Sequence, residues 1–164
     1  MYDDGYQLRG KCNDLQQCLH QHYFHIMTTP RGIANNNPGN IRWGDDWQGL
    51  VPVGERTDQD FCQFTGPAWG IRAIFKILAS YKDEGIMTIA DAIARWAPPS
   101  ENNTAAYASD VATRAGIDAS SCIDLTDQAT ASSIVKAIIF HENGSQPYPE
   151  YIISQAYSLA GVSA

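Results

Sequence analysis

The 164-residue chain is 44% hydrophobic with a formal net charge of −7, the composition of one globular domain long enough to bury a core without disulfides or metal. That charge argues against nucleic acid and against an anionic membrane surface as partners, because both are bound through clustered Lys and Arg. No segment approaches the roughly 20 apolar residues of a membrane span, and the N-terminus shows neither an apolar run nor a small-residue cleavage site, so neither membrane insertion nor a secretory signal is expected.

In chain order, residues 8–27 read as a helix, with Leu15, Cys18, Leu19, His22 and Ile26 at spacings of three and four, stopped by Thr28, Thr29 and Pro30. Residues 1–30 are expected to be a helical extension clasping a domain that spans 31–164. Asn35-Asn36-Asn37-Pro38-Gly39-Asn40 is a dense turn cluster. Ile41-Arg42-Trp43 and Phe61-Cys62-Gln63-Phe64 are short strand candidates, making 38–64 an irregular β-hairpin region. Pro67 opens a helix with an apolar stripe of Ile71, Ile74, Phe75, Leu78 and Tyr81, closed by Gly85. Thr88 caps a short helix through Trp96, ended by Pro98 and Pro99. A further helix runs over about 103–115 to Gly116. Thr126 caps the next, from Asp127 to about Asn143, and Pro149 opens the last, through about Ala160. The fold class is mainly α (α+β), a single domain with a small β-hairpin region.

One carboxylate stands apart. In the helix after Thr126 the apolar face is Ala131, Ile134, Val135 and Ile138, and adding four residues gives Glu142 at the last turn. Burial disfavours a charged carboxyl, and so does the negative end of the helix dipole, so Glu142 is expected to hold its proton near neutrality. Cleavage of a glycosidic bond needs such an acid for the leaving oxygen. Glu84 reads as a solvated helix end, Glu150 as a first-turn acid complementing the dipole, and Glu101 as a loop or capping residue. Glu55, on the hairpin and followed by Thr57, Asp58 and Asp60, is placed to overhang a cleft as a base or electrostatic partner.

Other chemistries find less support. His20, His22 and His25 with Cys18 lack a second ligand pair for zinc. His141-Glu142 begins a zinc-protease motif, but position 145 is Ser where the second His is required. No GxSxG and no phosphate-cradling glycine loop occurs, and no cofactor is expected. Cys12, Cys18, Cys62 and Cys122 contain no CxxC pair. Cys12 and Cys18 fall on different helix faces, so buried free thiols are expected, with a Cys62–Cys122 bridge as the alternative. Trp69 and Trp96 lie within or beside helical stripes and read as core. Trp43 and Trp47, in a polar turn-rich stretch, offer faces that suit either sugar stacking or packing.

The ordered set Asn36-Asn37-Pro38-Gly39-Asn40-Ile41-Arg42, FTGPAWGIRA (64–73), Arg95-Trp96-Ala97-Pro98 with Asn102, Thr104 and Tyr107, and AIIFHENG (137–144) resembles a phage-type muralytic family. It is most similar to the lytic enzymes of the enveloped double-stranded-RNA bacteriophages (cystoviruses), over residues 31 to the C-terminus. The resemblance implies a fold like the lysozymes and lytic transglycosylases. In those enzymes the helix bearing the acid precedes the hairpin, whereas AIIFHENG here follows NNPGNIRW, an order that a circular permutation would reconcile. It implies cleavage of bacterial peptidoglycan between N-acetylmuramic acid and N-acetylglucosamine, with Glu142 as acid and then base and Glu55 as a second acid. Asn40, Arg42, Trp43, Asn143 and Tyr148 are the expected substrate contacts. It further implies a virion-associated protein lying between nucleocapsid and envelope, in contact with shell or envelope proteins, made in the host cytoplasm and acting in the periplasm. A peptidoglycan endopeptidase and a non-catalytic structural or wall-binding virion protein are the alternatives.

Overall fold

A computed structural model describes residues 29–100 and 103–162. The expectations for the 8–27 helix, for Cys12, Cys18 and the three histidines beside them, and for Glu101 lie outside the described residues. Among the described residues six helices follow one another: α1 Arg31–Ala34, α2 Pro67–Asp83, α3 Ile89–Trp96, α4 Thr104–Ala115, α5 Gln128–Asn143 and α6 Glu150–Ala160, with a one-turn 3-10 helix at Val53–Glu55. The domain is mainly α, as its periodicity predicts.

Each helix has a local cause. Pro67 stands at the first position of α2, where a missing N–H costs nothing. Ile71, Ile74, Phe75 and Leu78 are all buried, each contributing on the order of 1.5–3 kcal/mol by leaving water. Tyr81 sits at the edge of that stripe, half-buried. Thr88 caps α3 by accepting from the Asp91 N–H, and Asn103 caps α4 by accepting from that of Ala106. Two boundaries differ from expectation. Asp127, not Thr126, caps α5, accepting from the Thr130 N–H, because the N–H and hydroxyl of Thr126 already go to Asp124 at 2.9 and 2.7 Å. Pro149 precedes α6 as its cap and is not its first residue.

The core is a layer of helices. Helix α2 packs against α6, α5 against α4, and α4 against α3. Phe75 meets Tyr157 edge-on at 5.4 Å and 79°, within the range aromatic pairs prefer. A second, smaller cluster of Cys62, Phe64 and Ala73 gathers Trp43, Trp47, Leu50 and Trp69 around it. Both tryptophans of the turn-rich stretch thus pack inward.

The 38–64 region pairs as a hairpin but builds no regular strand. Only isolated antiparallel bridges form there, Arg42 with Phe61 and Leu50 with Phe64. Side chains take the place of a ladder. The buried Asn37 donates to the Ile41 and Cys62 carbonyls at 2.9 Å each and accepts from the Ile41 N–H at 3.0 Å. Asp58 receives Arg31 in a bidentate pair at 2.6 Å and Asn35 at 2.7 Å, and Arg31 holds its carboxyl well below the usual carboxylate range. Cys62 and Cys122 are free thiols. Cys62 is buried, and burial pushes its thiol up to about 11, whereas Cys122 is exposed, contrary to the expectation that both are buried. Its neighbour Ile123 takes the inward position instead.

Candidate active site

The face of α5 that begins with Ala131, Ile134, Val135 and Ile138 is fully buried, and it delivers Glu142 to the last turn, half-buried. Gly144 follows in the left-handed conformation that ends the helix. Asn143 fastens this end to the neighbouring loop, donating to the Pro38 carbonyl at 2.8 Å and to its own helix at Ile139. The loop is seated from the other side by α2. A Cβ at Gly70 would stand 1.9 Å from the Asn36 carbonyl oxygen, so only glycine permits this approach. Asn36 and Asn40 take left-handed backbone conformations, φ 51° and 48°, which asparagine tolerates better than other side chains.

Three donors converge on the Glu142 carboxylate. Asn40 donates to Oε2 at 2.8 Å, the Trp96 indole to Oε1 at 3.2 Å, and the Tyr107 hydroxyl to Oε1 at 2.7 Å. They come from the loop after α1, the end of α3 and the first turn of α4. Burial, reinforced by the negative charge of Glu142, lifts the Tyr107 phenol far above its ordinary range, so it is a proton donor at any working pH.

A further set of contacts braces Tyr107. The His141 ring stacks on it at 3.6 Å and 15°. His141 Nδ1 lies 2.8 Å from Asp110, which Arg114 also engages at 2.8 Å; His141 and Arg114 together hold the Asp110 carboxyl below its ordinary range.

Glu142 opens on a cavity of about 300 Å³, walled by Gly39, Asn40, Arg42, Phe61, Trp96 and Ala97. A second hollow of about 210 Å³ shares Gly39, Asn40, Arg42 and Trp96 and continues to Ile77 and Tyr81. The two form a groove with Arg42 and Trp96 at the junction. A larger hollow of about 670 Å³ runs along α4 over Ala105, Ala108 and Ala112. Its acid, Asp118, is tied to the N–H and hydroxyl of Ser120 in its own loop, and no donor from another element reaches it among the described residues.

Of the residues singled out from sequence, the groove brings together Glu142, Asn40 and Arg42. Asn143 turns to hold the loop. Trp43 donates to the Asp58 carbonyl at 3.0 Å and has Arg56 over its ring at 4.2 Å. Tyr148 packs against the main core with a buried hydroxyl that finds no partner among the described residues. Glu55 is exposed on the 3-10 turn. None of these four lines either part of the groove. Glu84 is an exposed helix end 3.7 Å from Arg95, and Glu150 pairs with Lys136 at 2.7 Å.

Two groups were not legible as site residues. Trp96 reads as core, yet it is half-buried and its N–H reaches Glu142. Besides its place in the Arg95-Trp96-Ala97-Pro98 segment, its signal is position, the last helical residue before Ala97-Pro98, where the chain turns away and leaves a ring uncovered. Tyr107 shares a buried face with Ala108, Val111 and Ala112, so spacing alone gives packing; only its hydroxyl reaches the site.

No family model matches the chain. Protein P5 of Pseudoalteromonas phage PM2 is 41% identical to it over 128 residues, which cover 75% of this chain and 77% of that protein. At that identity and coverage, this chain belongs to the family of the bacteriophage protein P5 of PM2.

Proposed function

We propose that this protein is a phage peptidoglycan-degrading enzyme that cleaves the glycan strand, with Glu142 as general acid and then base. The observation that carries the reading is the convergence of Asn40, Trp96 and Tyr107 on a half-buried carboxylate at the wall of a groove. In the proposed reaction Glu142 protonates the glycosidic oxygen as the bond to the anomeric carbon breaks. The carboxylate so formed is received by three donors already in place, which need no reorganisation as the charge appears. In the second half it takes a proton back from the incoming hydroxyl.

No second carboxylate lines the groove among the described residues. That favours capture of the cleaved sugar by its own hydroxyl, closing an anhydro ring, over a nucleophilic or base-assisted route needing a second acid. Chain order also fits a permuted lysozyme-like domain, because the end of α5 is fastened to the loop with which the domain begins. The phage relative supports a bacteriophage setting, and in that setting the proposed activity would serve wall penetration and lysis. A purified-protein zymogram followed by mass spectrometry of digested wall tests the proposal. Disaccharide-peptides ending in anhydro-muramic acid are expected, and reducing ends would instead indicate a hydrolase. Intact glycan with new amino groups in the stem peptides would replace the reading with an endopeptidase, and no product at all with a binding protein.

A further inference from the structure

Six arginines fall among the described residues, and five of them are committed. Arg31 pairs with Asp58 and Asp60, Arg56 donates to the Val51 carbonyl, Arg72 to that of Leu159, Arg95 lies 3.7 Å from Glu84, and Arg114 engages Asp110. Arg42 alone has no carboxylate or hydrogen-bond acceptor for its guanidinium among the described residues, resting 5.0 Å over the Phe61 ring. It is exposed. It is also the one cation in the groove, and it lines both halves, whereas Glu142 lines one. In a protein of net charge −7, a guanidinium without a partner among the described residues, resting over an aromatic face in the groove that holds Glu142, is an anion-reading group. Its planar fork of donors fits a carboxylate in a bidentate pair.

Resting on the reading of the groove as a glycan site, we infer that Arg42 is a specificity-determining residue that binds a carboxylate carried by the substrate at the junction of the two halves. The substrate class is thereby an anionic glycan, and uncharged amino-sugar polymers are poor ligands. Two parts of a wall strand carry that chemistry, the lactyl group of muramic acid where no peptide is attached and the free carboxylates of the stem peptide where one is. A chain crossing Arg42 with its anionic substituent at the junction presents the adjoining glycosidic bond to the half that holds Glu142.

The test is equilibrium binding by calorimetry with the full chain carrying Glu142→Gln, which keeps the probes uncleaved. Three oligosaccharides of equal length serve: N-acetylglucosamine alone, peptide-free alternating N-acetylglucosamine and N-acetylmuramic acid, and the same alternating glycan with stem peptides. At least one carboxylated probe should bind more tightly than the neutral one, with an affinity that falls as salt is raised. Adding Arg42→Gln should weaken that probe by roughly tenfold to a hundredfold, the loss of a charge-assisted pair, and leave the neutral probe unchanged. Arg42→Lys should restore part of the loss. Whether the peptide-free or the peptide-bearing glycan loses affinity tells the lactyl source from the peptide source. The side chain makes no hydrogen bond to the described residues, so thermal melting of the Arg42 variants should match the parent. Equal weakening of all three probes, or of none, overturns the role of Arg42 while leaving the groove a glycan site. Failure of the parent to bind any of the three overturns the glycan reading and this inference with it.

Discussion

Replacing Tyr107 with Phe deletes one oxygen and little else. The ring keeps its place against Val111 and Ala112 and its stack on His141, and Glu142 retains the Asn40 and Trp96 donors. What disappears is a 2.7 Å hydrogen bond into Oε1 from a hydroxyl that burial keeps protonated. A hydrogen bond to a charged group is worth about 1.5–3 kcal/mol, and in the proposed reaction this one reaches full strength only once Glu142 has given up its proton and become the anion. The loss therefore falls on the transition state and its product more than on bound substrate, and kcat should drop by roughly tenfold to a hundredfold with KM little changed. Initial rates of wall clearing across a substrate range, with a thermal melt of the same preparation, give both quantities. Melting should move little, because the partner left behind is still hydrogen-bonded. The reasoning is refuted if Tyr107→Phe clears walls at the parental rate while Glu142→Gln is inactive, or if the only change is a lower melting temperature.

Glu142→Gln should lower wall-clearing activity by a factor on the order of a hundred or more, since an amide cannot donate the proton. Its thermal stability should be close to the parent's, the amide oxygen accepting from Tyr107 and Trp96 while the Asn40 amide flips to receive the new NH2. Gly70→Ala forces a Cβ against the Asn36 carbonyl and should destabilise by about 1–3 kcal/mol, with activity falling further than the folded fraction because the loop carrying Asn40 moves; chemical denaturation and a rate per folded molecule separate the two. Asp58→Asn should weaken the fold by about 1–3 kcal/mol, read by denaturation at neutral pH. The Asp58 carboxyl titrates below its ordinary value in the folded protein. Its stabilisation is thus present above the unfolded carboxylate range and lost as pH falls through the depressed folded value, so the parent should lose stability in acid and Asp58→Asn should lose less.

The helices from α2 onward were legible because each is specified within its own span, whereas the single turn of α1, which has no side-chain cap, was not foreseen. A Pro at the first position, a Thr or Asn at a cap, an apolar residue every three or four and a Gly at the end are all local signals, and α2, α3 and α4 follow them to within a residue or so. The boundary of α5 was misplaced by one because Thr126 and Asp127 are both competent caps. What decides between them is Asp124, which takes the hydroxyl and N–H of Thr126, and no propensity scale contains that competition. The hairpin region was legible as turns and reversals but not as a ladder, since its order comes from Asn37, Asp58 and Arg31 reaching across 20 residues or more.

The site divides along the same line. Glu142 was readable because it continues the arithmetic of a buried helix face, a property of α5 alone. Asn40 was readable as a site residue but not as a donor to Glu142, and Trp96 and Tyr107 were not readable as site residues, because the three lie 102, 46 and 35 residues away in sequence and each belongs to an element with another evident purpose: Asn40 in a turn, Trp96 at a helix end, Tyr107 on a core face. A residue that both packs and donates leaves only its packing in the sequence pattern, because spacing reports the side of the helix and says nothing of where one polar atom at the tip arrives. The same reasoning explains why Trp43 and Tyr148 drew attention and are spent on packing. Aromatic residues in polar, turn-rich sequence look available, but the turns fold back over them, and Arg56 covers the face of Trp43 that would otherwise meet a sugar. Availability is a property of the finished surface. In this domain it belongs to Trp96 and Arg42, the groups that the chain brings to the junction of the groove and leaves uncovered.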